Sequence, residues 1–387
     1  MKKILIGSPI NQKPEILHYF LQSLLTLESE DLKVSYLFID DNTDIKSKKI
    51  LNDFEMSNSN VTIYLSEFND EYITNEETHI WNEKLIWKVA HFKNLILKIS
   101  EEFSYDYVFL VDSDLVLHPK TLSSLIASKK EIVSNIFWTK WQPHFPELPQ
   151  VWMFDHYEQY SKKRNENIDS KEIIRRQDLF IEMLKEPGIY NVGGLGACTL
   201  ISKNAIKLGV NFSEIKNISF WGEDRHFCIR AQALGIDLFV DTHYPAFHIY
   251  RKEDLIKLKS SNFLNQFNYE FEKLSSTIEK GFKSLGSFHF EEGYKNKWEN
   301  YFSKKFVDIL NDNINLNKNS IEENSIIVEA EVVEKKIINI NEAHAILEIQ
   351  LKNEGFKNGE YFIEKSVFDV YLERNKEGWI IDRFIAT

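Results

Sequence analysis

The sequence predicts an α/β fold with a mostly parallel sheet, followed by a smaller α+β unit. Strand-like and helix-like runs alternate through the first half. Tyr107-Val108-Phe109-Leu110-Val111 is an almost unbroken apolar run of strand length, as suits a strand covered on both faces. After about Asp254 the pattern changes to amphipathic helices and then to successive strand runs.

At 387 residues the chain exceeds one small domain, and roughly 100 to 200 residues per domain suggests two or three units; the change of pattern after about Asp254 puts the expected division at 1–255 and 256–387. With 43% hydrophobic and 13% aromatic residues, most of it should fold. The formal charge of −12, from 59 acidic and 47 basic residues, argues against a nucleic-acid partner. Gly7, Pro9 and Asn11 interrupt the opening apolar run, which therefore reads as a strand and not as a leader. No stretch approaches the roughly 18 to 20 apolar residues of a transmembrane segment. Cys198 and Cys228 lie in core-like segments, as buried thiols of a reducing compartment do, so a cytoplasmic protein is expected.

Lys3 to Gly7 is the first expected strand, Pro14 to Leu27 a helix, Val34 to Ile39 and Val61 to Leu65 further strands, and Asn82 to Ile99 a helix preceding the buried strand at Tyr107. From Trp138 to about Pro187 the pattern loosens into an insertion rich in Trp, Pro, His and Tyr, with a charged helical segment. Asn191 to Ser202 returns to core character, Glu223 to Leu234 reads as a helix stopped by Gly235, and Asp237 to Val240 as a strand. Beyond Asp254, Phe263, Phe267, Phe271, Leu274, Ile278, Phe282 and Leu285 have helical spacing, as does the set Tyr294, Trp298, Tyr301 and Phe302. An Asn-rich bridge, Asn311 to Asn324, separates these from strand runs at Ile326 to Val333, Ala343 to Leu351, Tyr361 to Leu372 and Trp379 to Ile385, with turns at Gly355, Gly359 and Gly378. This second unit weakly resembles the NTF2-like cone fold.

In open α/β sheets ligands bind beyond the carboxyl ends of strands. Asp40-Asp41 and Asp112-Ser113-Asp114 both stand there. Two carboxylates one residue apart can hold a hard divalent cation, but twenty Asp residues give about one such spacing by chance. The order of the surrounding motifs carries more. Gly7-Ser8-Pro9 follows the first strand, Ile39-Asp40-Asp41-Asn42-Thr43 the second, and Asn94 precedes the triplet. Trp221-Gly222-Glu223-Asp224 opens a helix, and His248 and Arg251 come last.

In that order the motifs resemble the inverting GT-A glycosyltransferases of family 2 and its relatives, over about residues 1 to 255. The resemblance implies a hexosyltransferase using a UDP- or GDP-sugar with Mn²⁺ or Mg²⁺, and an acceptor that is a glycan, glycolipid or peptide. It implies metal ligation by Asp112, Asp114 and His248, with Asp112 also contacting the nucleotide. Ser8, Pro9, Asp41 and Asn94 would line the nucleotide site, and Arg251 would approach the diphosphate. Asp224, aided by Glu223, would act as general base on the acceptor, while Gly193, Gly194 and Trp221 would face it. The residues themselves leave other readings open. Asp40 to Thr43 can form an Asx-type turn, the Glu223-Asp224 pair suits any helix N-terminus, and Gly193-Gly194 can be a tight turn. Of the aromatic set Trp138, Trp141, Phe145, Trp152 and Tyr157, one or two residues suit a sugar-stacking role, and core packing accounts for the others.

Two other functions fit parts of the sequence. A nucleotidyltransferase acting on a sugar phosphate also uses acidic metal ligands on an α/β sheet, but it needs a Gly-rich basic loop after the first strand, and Gly7-Ser8-Pro9-Ile10-Asn11 is not one. A non-catalytic scaffold could bind a partner, or a second copy, through residues 256–387.

Overall fold

The computed structural model describes residues 1–29, 32–68, 82–142, 144–219, 222–260, 263, 268–291, 293–294, 297–340, 344–375 and 378–387. The chain divides into two compact units, Met1–Gln266 and Phe267–Thr387.

The first unit is the expected α/β layout. Its strands are β1 (Lys2–Ile10), β2 (Leu32–Asp40), β3 (Val61–Leu65), β4 (Tyr107–Leu110), β5 (Leu115–Val116), β6 (Ile132–Thr139), β7 (Leu148–Pro149), β8 (Ile189–Val192), β9 (Thr199–Ser202) and β10 (Leu238–His248). They form one mixed sheet of order β3-β2-β1-β4-β9-β6-β10-β5, with β7 on β6 and β8 on β10. The pairs β1–β2, β2–β3, β1–β4 and β6–β10 are parallel, and β9 is inserted antiparallel between β4 and β6.

Alternation along β1 divides the core into two layers. Ile4 and Ile6 face a cluster with Leu17 and Phe20 of α1 (Pro14–Leu25) and Leu51 and Phe54 of α2 (Ile45–Ser57). Leu5 faces the opposite cluster, with Phe92, Ile96 and Leu97 of α3 (Glu83–Glu102) and Phe227 and Cys228 of α7 (Glu223–Ala233). Between these helices in the chain lie α4 (Thr121–Ala127), α5 (Ser170–Lys185) and α6 (Lys203–Lys207), and α8 (Lys252–Ser260) closes the unit, its Lys259 paired with Glu15 of α1.

β1 runs three residues past the expected end at Gly7, so Ser8 and Pro9 belong to the strand and not to a loop. Their partners Phe38 and Ile39 lie on β2 alone, because β4 leaves the pairing at Leu110. Gly7 directs its backbone carbonyl toward the β4 side, where it accepts from Val111. Pro9 has the same orientation beyond the end of β4, so its missing N–H breaks no ladder. β10 likewise continues from the expected Asp237–Val240 to His248, through an irregularity between Asp241 and Ala246.

The second unit contains α9 (Asn268–Gly286), a 3₁₀ turn at Trp298–Tyr301, α10 (Lys304–Glu323) and an antiparallel sheet of order β12-β11-β13-β14-β15-β16. Its long strands are β13 (Ile327–Ile340), β14 (His344–Lys357), β15 (Glu360–Asn375) and β16 (Gly378–Ala386), with β11 (Phe288–His289) and β12 (Gly293–Tyr294) at one edge. Leu274, Ile278 and Phe282 are buried, and Phe282, Phe302, Phe306, Phe368 and Phe384 form a cluster of ring contacts. Three expectations fail here. The Asn-rich segment is helical through Glu323, because Phe306, Leu310 and Ile314 continue a four-residue spacing that outweighs the modest helix penalty of Asn. The aromatic set around Trp298 makes only a short 3₁₀ turn. Gly355 lies within β14 and not at a turn, where a Cβ would sit 1.9 Å from the Ile327 carbonyl oxygen. The reversal falls at Asn358-Gly359, both with positive φ, the Asn-Gly pair that tight hairpins favour.

The seating of α3 on β1 is set at Gly7, where a Cβ would lie 2.5 Å from Ile96 Cγ2. Gly7→Val should therefore overpack this contact and cost about 1–3 kcal/mol, measurable as a lowered urea midpoint with an unchanged slope.

Candidate functional site

Sheet pairing brings Asp114 and His248 together. Antiparallel pairing of β5 with β10 sets His248 opposite Leu115, and Ile249 N donates to the Asp114 carbonyl at 2.9 Å. Asp114 Oδ2 stands 3.3 Å from His248 Nε2, with the two side chains 20% and 7% exposed. Nδ1 of the same ring lies 2.8 Å from the Thr139 hydroxyl on β6. That hydroxyl can donate or accept, so Thr139 fixes the ring's direction and accommodates either tautomer.

Asp112, at the end of β4, lines a cleft with Lys93, Gly196, Thr199 and Asp224. Asp224 arrives on the first turn of α7, whose N-cap is Gly222 with φ 56, and Trp221 lies outside the described residues. Acids are favoured at a helix start, but these two have a more specific partner. Lys93 Nζ lies 2.7 Å from Glu223 Oε1 and 3.0 Å from Asp224 Oδ1. The lysine side chain is 3% exposed, Glu223 8% and Asp224 26%, so Asp224 is the carboxylate that faces the cleft and Glu223 lies behind it. Phe212, stacked on Phe227 at 4.4 Å, packs over the ammonium.

One buried ammonium faces three carboxylates and cannot neutralise them all. Burial raises the Asp224 pKa from 3.8 to about 7, against the attraction of Lys93 and with the repulsion of Glu223 and Asp112. Asp112 is raised to about 6 by burial, opposed by Lys93 and reinforced by Asp114 and Glu223. Lys93 itself is held well above its ordinary value by its carboxylate partners despite its burial. These groups share their protons as one cluster.

Asp41 is also paired with a lysine of α3. Its Oδ2 stands 2.6 Å from Lys88 Nζ, both side chains being nearly inaccessible. The turn reading applies to its neighbours instead. Asp40 Oδ1 accepts from Asn42 N and Nδ2, and Asp44 caps α2 through Lys46 N and Ser47 N. Ser8 is fully buried beside this end of the sheet, with its hydroxyl on the Pro9 carbonyl.

Other candidates have local structural partners. Asn94 accepts from Phe212 N and donates to Ser213 Oγ, tying α3 to the segment that covers Lys93. Arg251 donates to the Lys140 and Trp141 carbonyls at 2.5 Å each and lies over the Tyr250 ring. At Gly193 and Gly194 the spaces a Cβ would take are filled by the Met153 carbonyl and the Trp152 ring, at 2.0 and 1.9 Å. Their glycine character admits the Trp152–Met153 segment on that side. The glycine facing the cleft is Gly196, whose Cβ position is 3.5 Å from Asp224 Oδ2.

Lys93, Lys88 and Thr139 are the side chains that sequence reasoning missed. Lys93 had a signal: Ile86, Ala90, Leu97 and Ser100 form the buried stripe of α3 at three- and four-residue spacing, and Lys93 occupies the stripe's middle position. A lysine there needs a buried anion.

Among the described residues, no three His, Cys, Asp or Glu side chains are arranged to hold a metal ion. The donor types at Asp112, Asp114 and His248 nevertheless suit Mn²⁺ or Mg²⁺, and a cation would offset both the burial that chiefly raises the Asp112 pKa and the repulsion from Asp114 that adds to it. Cys198 and Cys228 are both buried and free. No helix among the described residues is long and apolar enough to cross a membrane.

No protein-family model and no curated protein matches the sequence. Solved structures do. TarS residues 1–349 from S. aureus aligns at 16% identity and TM-score 0.37, over 70% of this chain and 66% of that one. The mannosyltransferase PcManGT from Pyrobaculum calidifontis, in complex with GDP-Man and Mn²⁺, aligns at 10% identity and TM-score 0.36, over 68% and 62%. GalNAc-T7 with UDP, GalNAc and Mn²⁺ aligns at 12% identity and TM-score 0.42, over 98% and 79%. This chain thus spans just under two thirds of the TarS chain. Likenesses this distant carry no weight for activity, which rests on the geometry above.

Lys93→Met should leave buried carboxylates without their cation and destabilise the protein by about 3–5 kcal/mol, with Lys93→Arg losing less in the same urea titration. Because Asp112 and Asp224 have raised folded pKa values, the native state binds more protons than the unfolded chain between about pH 4 and 7. Stability in metal-free buffer should therefore fall as pH rises through that window, and Asp224→Asn should flatten the fall.

Proposed function

We propose that the chain is a GT-A-type inverting glycosyltransferase, transferring a hexose from a UDP- or GDP-sugar to a hydroxyl acceptor with a divalent cation. One observation carries this reading: Asp112 and Asp224, from strand end and helix start, line one small pocket, with the Asp114–His248 pair next in the chain and sheet to the first and Lys93 bonded to the second. A side that a cation could occupy and a side that could accept a proton suit displacement at an anomeric carbon.

Asp112, Asp114 and His248 would hold the cation. Bound there, it would neutralise the diphosphate as that group departs. The protein's own part lies opposite. Asp224 accepts the acceptor hydroxyl's proton while the hydroxyl oxygen forms its bond to the sugar carbon and the bond to the nucleotide oxygen breaks, the electron pair leaving with the diphosphate. Attack from the face opposite the departing group inverts the configuration. With a pKa of about 7, Asp224 is poised between accepting and retaining that proton. Lys93, itself anchored by Glu223, holds its carboxylate in place, and the buried Asp41–Lys88 pair shapes the end of β2, beside which the base of the nucleotide would lie. Residues 256–387 would contact the acceptor, a partner or a second copy.

A panel of UDP- and GDP-sugars with Mn²⁺ tests the reading. The protein should release nucleoside diphosphate slowly in the absence of acceptor, and Asp114→Ala should abolish that release; an unchanged rate would sink the metal assignment. Asp224→Asn should still bind nucleotide but lose about 10²- to 10⁴-fold in transfer. Normal transfer by this variant would remove Asp224 from the mechanism.

A further inference from the structure

Residues 152–158 fold back beside the start of α7, and their backbone is unusual. Asp155 and Tyr157 have φ values of 29° and 61°, a region that non-glycine residues rarely adopt. Such conformations persist only where neighbours over-determine them. Here Phe154 N and Met153 N both donate to the Glu158 carbonyl, Glu158 N returns to Phe154 O, and His156 N donates to Glu158 Oε2. The tip is gripped from below by Arg225, buried to 5% exposure, whose Nη2 lies 2.7 Å from Asp155 Oδ1 and whose Nε donates to the Asp155 carbonyl at 3.1 Å. Arg225 is the next residue after Asp224. A single helical turn thus presents the carboxylate to the cleft and holds this loop.

The grip determines where Tyr157 stands. Its ring meets Trp152 edge-on at 4.6 Å, and a Cβ on Gly222 would lie 2.8 Å from its hydroxyl. Glycine at 222 therefore lets the phenol approach the helix start that carries Glu223 and Asp224. Burial and the charges of Asp224 and Glu223 push the phenol's pKa upward, so it stays a protonated donor at any physiological pH. Yet the residue is 38% exposed. A ring with an accessible part and a hydroxyl at the helix start that carries Asp224 suits a ligand with C–H faces and hydroxyl groups, which is the chemistry of a sugar or another polyol.

We propose that Tyr157 is the acceptor-positioning residue of this cleft, set by the Arg225–Asp155 grip and the bare Gly222, and that the acceptor is a carbohydrate or polyol hydroxyl. This rests on the glycosyl-transfer reading. The tyrosine orients the attacking hydroxyl toward Asp224.

The test follows nucleoside diphosphate release and glycoside formation together, with Mn²⁺, the donor that the wild type hydrolyses, and glycerol and methyl hexosides as acceptors. In Tyr157→Phe the ratio of transfer to hydrolysis should fall about tenfold, with a raised acceptor KM. Arg225→Lys, which loosens the grip without removing the charge, should move the ratio the same way. A ratio unchanged in both variants, in protein whose thermal midpoint matches the wild type, overturns the role of Tyr157. Wild type that hydrolyses donor but transfers to none of these polyols overturns the acceptor class. Wild type that hydrolyses no nucleotide sugar overturns the underlying glycosyl-transfer reading, and this inference with it.

Discussion

A lysine ammonium buried among carboxylates is stable only if its surroundings hold it there, and Lys93 imposes that demand on much of the first unit. Glu223 and Asp224 must lie within reach, which fixes the start of α7 against α3. Phe212 and Phe227 must exclude water from above. Asn94, one residue along, secures the covering segment by accepting from Phe212 N. α3 must in turn sit close on β1, which requires the absent side chain at Gly7. Removing two charges from water costs several kcal/mol per ion, and replacing such pairs by apolar groups often stabilises a protein. The arrangement is therefore better understood as serving the cleft than as serving the fold.

That cost explains the charge state of the site. Were Lys93 paired with a single carboxylate, both would be ionised at all ordinary pH values. With Asp112, Glu223 and Asp224 around it, the cluster retains a proton up to near neutrality. A group that holds a proton weakly at pH 7 can also take one, and the residue best exposed to do so is Asp224. Asp112, which looks toward Asp114 and His248, carries the remaining imbalance on the side where a cation would bind.

The layout of strands and helices in the first unit was legible in the sequence because hydrophobic periodicity reports which face an element buries. β3 and α7 fall within a residue of their expected bounds. Less legible was the second unit, where asparagines disguised a helix and a close strand approach disguised Gly355 as a turn. At the site, the acidic residues were visible because Asp and Glu at strand ends and helix starts stand out. Their partners were not. Lysine is normally read as surface, and pairs such as Lys93–Glu223 and Asp41–Lys88 depend on the tertiary approach of α3 to its neighbours. The roles of glycines were legible only as permission: at Gly193 and Gly194 the space freed is taken by Trp152 and Met153, whereas at Gly222 it admits the Tyr157 hydroxyl.

The pairing of β5 with β10 also bears on the order in which the protein is made. The contacts that define the cleft join residues 109 to 131 positions apart, from Thr139 to His248 and from Lys93 to Asp224. Closing loops of that length is entropically costly and slow. During synthesis, β1 to β4 can associate while the chain is still emerging, but Asp114 has no imidazole beside it until residue 248 has left the ribosome and β10 has docked. Until then the acidic cluster is open to water and carries its full negative charge. The site can therefore be completed only after residue 248 has been made, late in the synthesis of the first unit.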